Sequence, residues 1–159
     1  MVKALKYRFV KVAAMDIGRM MAVYLEQRVS LLRVRQADTI ITAVPLHPKR
    51  LRWRGFNQAE LIAENISSKL GLAYQNDILS RTVYKKPQAD IKDRNERIKN
   101  AENIFHLVVE PLSADKQLES KTILLIDDVA TTGSTLDDAA RVLKSAGAKK
   151  VIGFVFARG

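Results

Sequence analysis

Residues 122–157 leave few folds open to this chain. TILLI at 122–126 is a continuous apolar run of strand length. Residues 135–146 then put Leu136, Ala139, Ala140 and Leu143 on one helical face, Gly147 stops that helix, and residues 151–157 form a second apolar run. Strand, helix and strand over so short a span is a parallel βαβ unit, and runs without polar alternation mark strands covered on both faces. The expectation is an α/β domain, doubly wound, with a mainly parallel central sheet.

The rest of the chain fits that frame. With 159 residues, 47% of them hydrophobic, the chain can bury one core, and residues 1–159 are expected to form a single domain. Ile17, Met20, Met21, Tyr24 and Leu25 repeat as the stripe of an amphipathic helix over 16–32. Residues 39–44 read as a buried strand ending at Pro45, and residues 46–56 as a basic loop. Asn57 stands as an N-cap with Glu60 three residues on. Ile62, Ile66 and Leu70 repeat at four before Gly71 closes the helix. Residues 81–103 are polar and read as an exposed, mobile loop followed by a short helix.

The chemistry is concentrated in ILLIDDVATTGSTLDDA at 123–139. Asp127 and Asp128 are expected where the strand leaves the sheet, the usual ligand position in open α/β folds. Val129 and Ala130 lead into Thr131, Thr132, Gly133, Ser134 and Thr135, small hydroxyl residues around a glycine that feed directly into a helix. Such a turn aims backbone N–H groups and hydroxyls at one point, and the helix N-terminus adds partial positive charge, so a phosphate monoester is accommodated there. Carboxylates just upstream can accept hydrogen bonds from a diol on the same ligand. A phosphorylated sugar with vicinal hydroxyls satisfies both halves.

Other folds also end an apolar strand in two acids. No G-x-x-x-x-G-K-[ST] loop accompanies this pair, which removes the nucleotide-hydrolase reading. A receiver domain would carry its acids after the first strand. An ordinary capped turn remains the bland alternative.

The 123–139 string resembles the phosphoribosyl pyrophosphate (PRPP) loop of type I phosphoribosyltransferases. The whole chain resembles the ComF family, the competence-protein branch of that superfamily. The resemblance rests also on KALKYRF at 3–9, on VPLHPKRLRWRGFNQA at 44–59, and on a looser pattern of Gln88, Arg97, Asn100 and Phe105. It implies the phosphoribosyltransferase fold, PRPP and pyrophosphate as ligands, and transfer of a 5-phosphoribosyl group to an unidentified acceptor. It implies Mg²⁺ as cofactor, bridging diphosphate and ribose hydroxyls and held at Asp127 and Asp128, through water or directly. Leu46, His47, Lys49, Arg50 and Arg54 would serve the pyrophosphate, and the segment around 85–97 would close over the site. For His47 a backbone hydrogen bond is as good an account as a catalytic task. Trp53 and Phe56 are expected to anchor the loop on the core. A homodimer is among the assemblies the resemblance allows.

Two departures bear on function. Family members commonly begin with a four-cysteine zinc module, whereas this chain has no cysteine, so no zinc role carries over. Purine-salvage relatives place an acid where this chain has Thr131, which argues against purine as acceptor.

Charge supplies the rival reading. Residues 1–60 hold 12 Lys or Arg against 4 Asp or Glu, a net +8, and the remainder 15 against 13, a net +2. A basic half suits phosphorylated ligands, and equally a non-enzymatic DNA-uptake factor that binds single-stranded DNA and other competence proteins. No run reaches the roughly 20 apolar residues of a membrane span, and no signal-peptide pattern opens the chain, so a soluble cytoplasmic protein is the expectation.

Overall fold

The computed structural model describes residues 2–32, 34–81, 104–108 and 117–159, with side chains in the first helix from Lys11 onward. In chain order the elements are α1 (Val2–Glu26), α2 (Val29–Leu32), a 3₁₀ turn (Gln36–Asp38), β1 (Thr39–Ala43), α3 (Pro48–Arg54), α4 (Gln58–Leu70), β2 (Ala73–Tyr74), β3 (Leu79–Arg81), β4 (Phe105–Leu107), β5 (Thr122–Ala130), α5 (Ser134–Ser145) and β6 (Lys150–Arg158).

Four strands form a parallel sheet in the order β2-β1-β5-β6. Alternation along the two central strands divides the core. Ile40, Ile123 and Leu125 face one side and pack with Ala139 and Leu143 of α5 and with Ile78, Leu79, Ile104 and Phe105. Ile41, Leu124 and Ile126 face the other, against Ile62 and Ile66 of α4 and Met21 and Leu25 of α1. Helices on both faces of a parallel sheet are the doubly wound architecture that the sequence led us to expect. A second sheet, the antiparallel pair β3-β4, lies on the α5 side.

The first helix differs from expectation in extent and in the face it buries. It begins at Val2, and a tight turn at Arg28, whose N–H donates to Leu25 C=O at 2.8 Å, separates it from α2. Met20 is 64% and Tyr24 50% exposed, whereas Ala14, Gly18, Met21, Ala22 and Leu25 are buried. The physical reason is close approach. A Cβ on Gly18 would lie 2.8 Å from Asn65 Cβ and 3.3 Å from Ile62 Cα, so α1 docks closely on α4 at Gly18, with Ile17, Met21 and Leu25 of the expected stripe at the core and Met20 and Tyr24 on the flank.

Residues 46–56 are also not an open loop. Pro48 occupies the first turn of α3, where its missing N–H costs nothing, His47 caps it, and Gly55 at φ +78° terminates it. Phe56 is buried as expected, whereas Trp53 is 64% exposed.

Candidate functional site at the carboxyl ends of β1 and β5

The chain leaves β1 through α4 to reach β2 at one edge, and leaves β5 through α5 to reach β6 at the other edge. The two central strands therefore diverge at their carboxyl ends, and in open α/β sheets ligands occupy the crevice at that switch point. Pairing between β1 and β5 ends at Ala43 and Ile126, followed by a last bond from Val44 N–H to Ile126 C=O at 2.8 Å. Asp127 is the next residue. Contrary to the expectation from sequence, the strand does not leave the sheet there. It stays paired with β6 as far as Ala130 and Arg158, because β6 runs the full length beside it.

One wall of the crevice is the turn into α5. Gly133 precedes the helix at φ +84°, ψ −12°, a left-handed conformation that favours glycine, and offers no side chain to cap the first turn. Thr132 Oγ1 and Ser134 Oγ share a hydrogen bond of 2.7 Å, and Thr132 Oγ1 accepts from Ser134 N–H at 3.3 Å. Asp127, Val129, Ala130, Thr131, Gly133, Thr135 and Leu136 line a small concavity at this place. Residues of a helix N-terminus thus line the same hollow as a carboxyl-bearing residue.

That carboxyl is unusual. Burial, then the negative charge of Asp128 and a side-chain hydrogen bond with it, push Asp127 up to about 7, against the opposing pull of Asp128 N–H and Arg81. Asp127 Oδ1 accepts the Asp128 N–H, and Asp128 Oδ1 the Val129 N–H, both at 2.9 Å, which orients the pair along the strand. Asp127 lines the concavity and Asp128 does not.

The other wall follows β1. His47 is buried, and its Nδ1 accepts the Lys49 N–H at 3.1 Å, so the ring serves as the α3 cap. Behind it Asn57, also buried, accepts the Ala59 N–H at 3.1 Å. Its amide donates to Val44 C=O at 3.0 Å and to Glu60 Oε1 at 3.2 Å. The side chain of Glu60 therefore meets the Asn57 amide, and Asn57 fastens the start of α4 to the end of β1. This holds the segment from Leu46 to Arg54 at the crevice. Arg54 is turned toward α4, donating to Gln58 Oε1 at 2.8 Å, while Arg50 lies close enough to Arg81 for their charges to repel.

Two residues that sequence reasoning did not single out stand beside the site. Arg81, the last residue of β3, lies in the fields of Arg50 and Asp127, and its Nε is buried without an acceptor among the described residues. Asp138, 6% exposed on α5, accepts the N–H groups of Ile104 and Phe105 and is paired with Arg141 at 2.6 Å. An acid inside an otherwise apolar helix face was the available signal for Asp138. Of the resemblance's middle pattern, Phe105 is buried in β4, whereas Gln88, Arg97, Asn100 and the closing segment at 85–97 lie outside the described residues.

Comparison with known proteins agrees with this fold. A family model for the phosphoribosyl transferase domain matches residues 57–159. The chain is 34% identical over 113 residues to Competence protein F of Haemophilus influenzae, covering 70% of this chain and 46% of that protein. It is 32% identical over 111 residues to the DNA utilization protein YhgH of Escherichia coli (strain K12), covering 70% and 45%. The matched region thus spans less than half the length of these relatives. Among solved structures, the allosteric regulatory enzyme of purine biosynthesis aligns over 92% of this chain and 26% of its own, with a TM-score of 0.55 at 17% identity. A hypoxanthine phosphoribosyltransferase from Staphylococcus aureus aligns over 94% and 74%, with a TM-score of 0.51 at 11% identity.

Proposed function

This chain belongs to the phosphoribosyl transferase domain family, and from that footing we propose that it binds PRPP at the β1-β5 crevice and transfers its 5-phosphoribosyl group to an acceptor with release of pyrophosphate. The observation that carries the reading is the shared hollow, in which a left-handed Gly133 opens the α5 N-terminus beside Asp127.

In this reading Thr131, Thr132, Gly133, Ser134 and Thr135 hold the 5-phosphate, with Val129 and Ala130 forming the floor. Asp127 and Asp128 accept hydrogen bonds from the ribose diol. Across the crevice, backbone groups of Leu46 and His47 and the charges of Lys49, Arg50 and Arg54 stabilise the diphosphate as negative charge grows on it. The C1–O bond to pyrophosphate breaks, the acceptor's nucleophilic atom bonds to C1, and the acceptor's proton departs. Asp127, titrating near neutrality, is the group beside the ribose suited to hold a proton at a carboxyl oxygen.

Mg²⁺ fits the donor set. No group of three or more His, Asp or Glu able to hold a metal ion occurs among the described residues, and Mg²⁺ commonly takes one or two carboxylates with ligand phosphates and water. Asp127 and Asp128, adjacent and mutually repelling, would hold it. Bound there, the ion would neutralise diphosphate charge. The test is calorimetry with PRPP and Mg²⁺, followed by a screen of nucleobases and amines for pyrophosphate release. No PRPP binding ends the reading.

A second reading has its own observation. Helix α3 carries Lys49, Arg50, Arg52 and Arg54 with no acid, around an exposed Trp53. Cations interleaved with an aromatic suit single-stranded nucleic acid, and similar proteins are named for competence and DNA utilization. In this reading the chain is a DNA-uptake factor and the pocket a nucleotide sensor or scaffold.

A further inference from the structure

We propose that Arg81 is a diphosphate-binding residue of the same pocket, reaching the crevice from the root of the β3-β4 pair and gripping the pyrophosphate end of PRPP together with Arg50. The inference rests on the PRPP reading and adds to it a residue from a third structural element.

Arg81 ends β3. It is two residues from Leu79 on β3, so the two side chains leave the strand on the same side, and Leu79 is 3% exposed in the core. Arg81 is thus directed inward. Opposite it in the ladder stands Phe105, whose ring centroid lies 5.8 Å from the guanidinium carbon, and Phe105 is itself 2% exposed. The ring limits where the guanidinium can turn.

A structural ion pair does not account for this placement. Among the described residues Arg81 makes no salt bridge within 4.0 Å, and its buried Nε has no hydrogen-bond acceptor. Its nearest charged influences are Arg50, of the same sign, and Asp127, and burial together with Arg50 lowers its affinity for a proton. Asp127 sets a single carboxylate against the two cations. Guanidinium groups cannot relieve such a cluster by deprotonating. An anion can, and it would have to be polyvalent to serve both arginines. Buried donors without acceptors and unbalanced charges are costly, so the arrangement is complete only with that anion present.

The geometry also says which end of PRPP is meant. The α5 turn, with its small hydroxyl residues, suits the 5-phosphate, and Arg50 stands on the opposite wall, after β1. Arg81 belongs with Arg50. A planar guanidinium binds phosphate oxygens in pairs, which a lysine ammonium does not reproduce.

The experiment is calorimetry on wild type, Arg81→Gln and Arg81→Lys with three probes: PRPP with Mg²⁺, pyrophosphate with Mg²⁺, and ribose 5-phosphate alone. Arg81→Gln is expected to bind PRPP and pyrophosphate at least about tenfold more weakly while ribose 5-phosphate affinity stays within about twofold, and Arg81→Lys to fall between. Equal losses for all three probes would make Arg81 a structural plug and overturn the inference, as would no loss for any. If Arg81→Gln does not fold, by circular dichroism, Arg81→Lys decides: pyrophosphate binding as tight as wild type overturns it. A wild type that binds none of the three probes removes the PRPP reading and this inference together. A wild type that binds PRPP beside an unaffected Arg81→Gln removes this inference alone.

Discussion

Asp138 Oδ2 accepts the backbone N–H of Ile104 at 2.8 Å, across 34 residues of sequence. The same oxygen accepts the Phe105 N–H at 3.3 Å, while Oδ1 meets Arg141. The helix whose N-terminus forms the proposed phosphate site thus also holds the start of β4, and with it the strand that faces Arg81. Asp138→Ala leaves two buried N–H groups without an acceptor, and we predict a loss of about 2–4 kcal/mol in urea unfolding, with Asp138→Asn less damaging because one oxygen remains. Unchanged stability in Asp138→Ala would show that water replaces the carboxylate.

Asp127→Asn and Asp128→Asn are predicted to weaken PRPP binding by roughly 1.5–3 kcal/mol, the value of a charge-assisted hydrogen bond, when measured by calorimetry with Mg²⁺. Stability should move the other way for Asp127. Its folded-state pKa is raised from 3.8 to about 7, so between those values the native state binds more protons than the unfolded chain, and stability falls as pH rises through that window. Asp127→Asn removes the penalty. Its thermal midpoint should exceed that of wild type above pH 7, by about 2–4 °C for each kcal/mol, and the two should converge below pH 4. A variant no more stable than wild type at pH 8 would refute the raised pKa.

The same titration governs ligand affinity. If the diol and the metal need the ionised carboxyl, PRPP affinity should rise from pH 6 to pH 8 in wild type and lose most of that rise in Asp127→Asn. Isothermal titrations at fixed ionic strength read this directly. An identical pH profile in the variant would assign the titration to another group.

Gly133→Val should abolish ribose 5-phosphate binding with little change in far-UV circular dichroism. A Cβ there meets nothing nearer than Asp137 Oδ2 at 3.9 Å, so the objection is the backbone angle of +84° and not crowding. A β-branched residue strains that conformation, and Asn tolerates it. Gly133→Asn is therefore the control expected to retain binding, and equal binding by glycine and valine would place the phosphate elsewhere.

If the α3 surface binds single-stranded DNA, fluorescence anisotropy should show a slope of about −0.7 in log affinity against log salt for each phosphate engaged. Trp53→Ala should cost about 1–3 kcal/mol from lost stacking. PRPP with Mg²⁺ should compete, because Arg50 belongs to both surfaces. Absence of binding at low salt would remove the DNA reading, and binding indifferent to PRPP would move the DNA to another face.

What was legible in sequence was local. Gly71, Gly133 and Gly147 marked positions of positive φ, Asn57 marked a helix start, and the apolar runs of β1 and β5 implied parallel strands covered on both sides, because each signal lies within a turn or a strand of its cause; β6, read as buried too, is parallel but lies at the sheet edge with no buried residue. The string at 123–139 carried the carboxyls and the turn proposed to hold the phosphate for the same reason. Tertiary structure decided whatever depends on a distant partner. The buried face of α1 kept Met21 and Leu25 of the expected stripe but turned to Ala14, Gly18 and Ala22 in place of Met20 and Tyr24, since close packing on α4 rewards absence of side chain, which hydrophobic periodicity does not register. Asp138 found its donors on β4, and β5 ran past Asp127 because β6 continued beside it. Arg50, Arg81 and Asp127 come from three elements, α3, β3 and β5, and no spacing in the chain announces that folding sets their charges against one another.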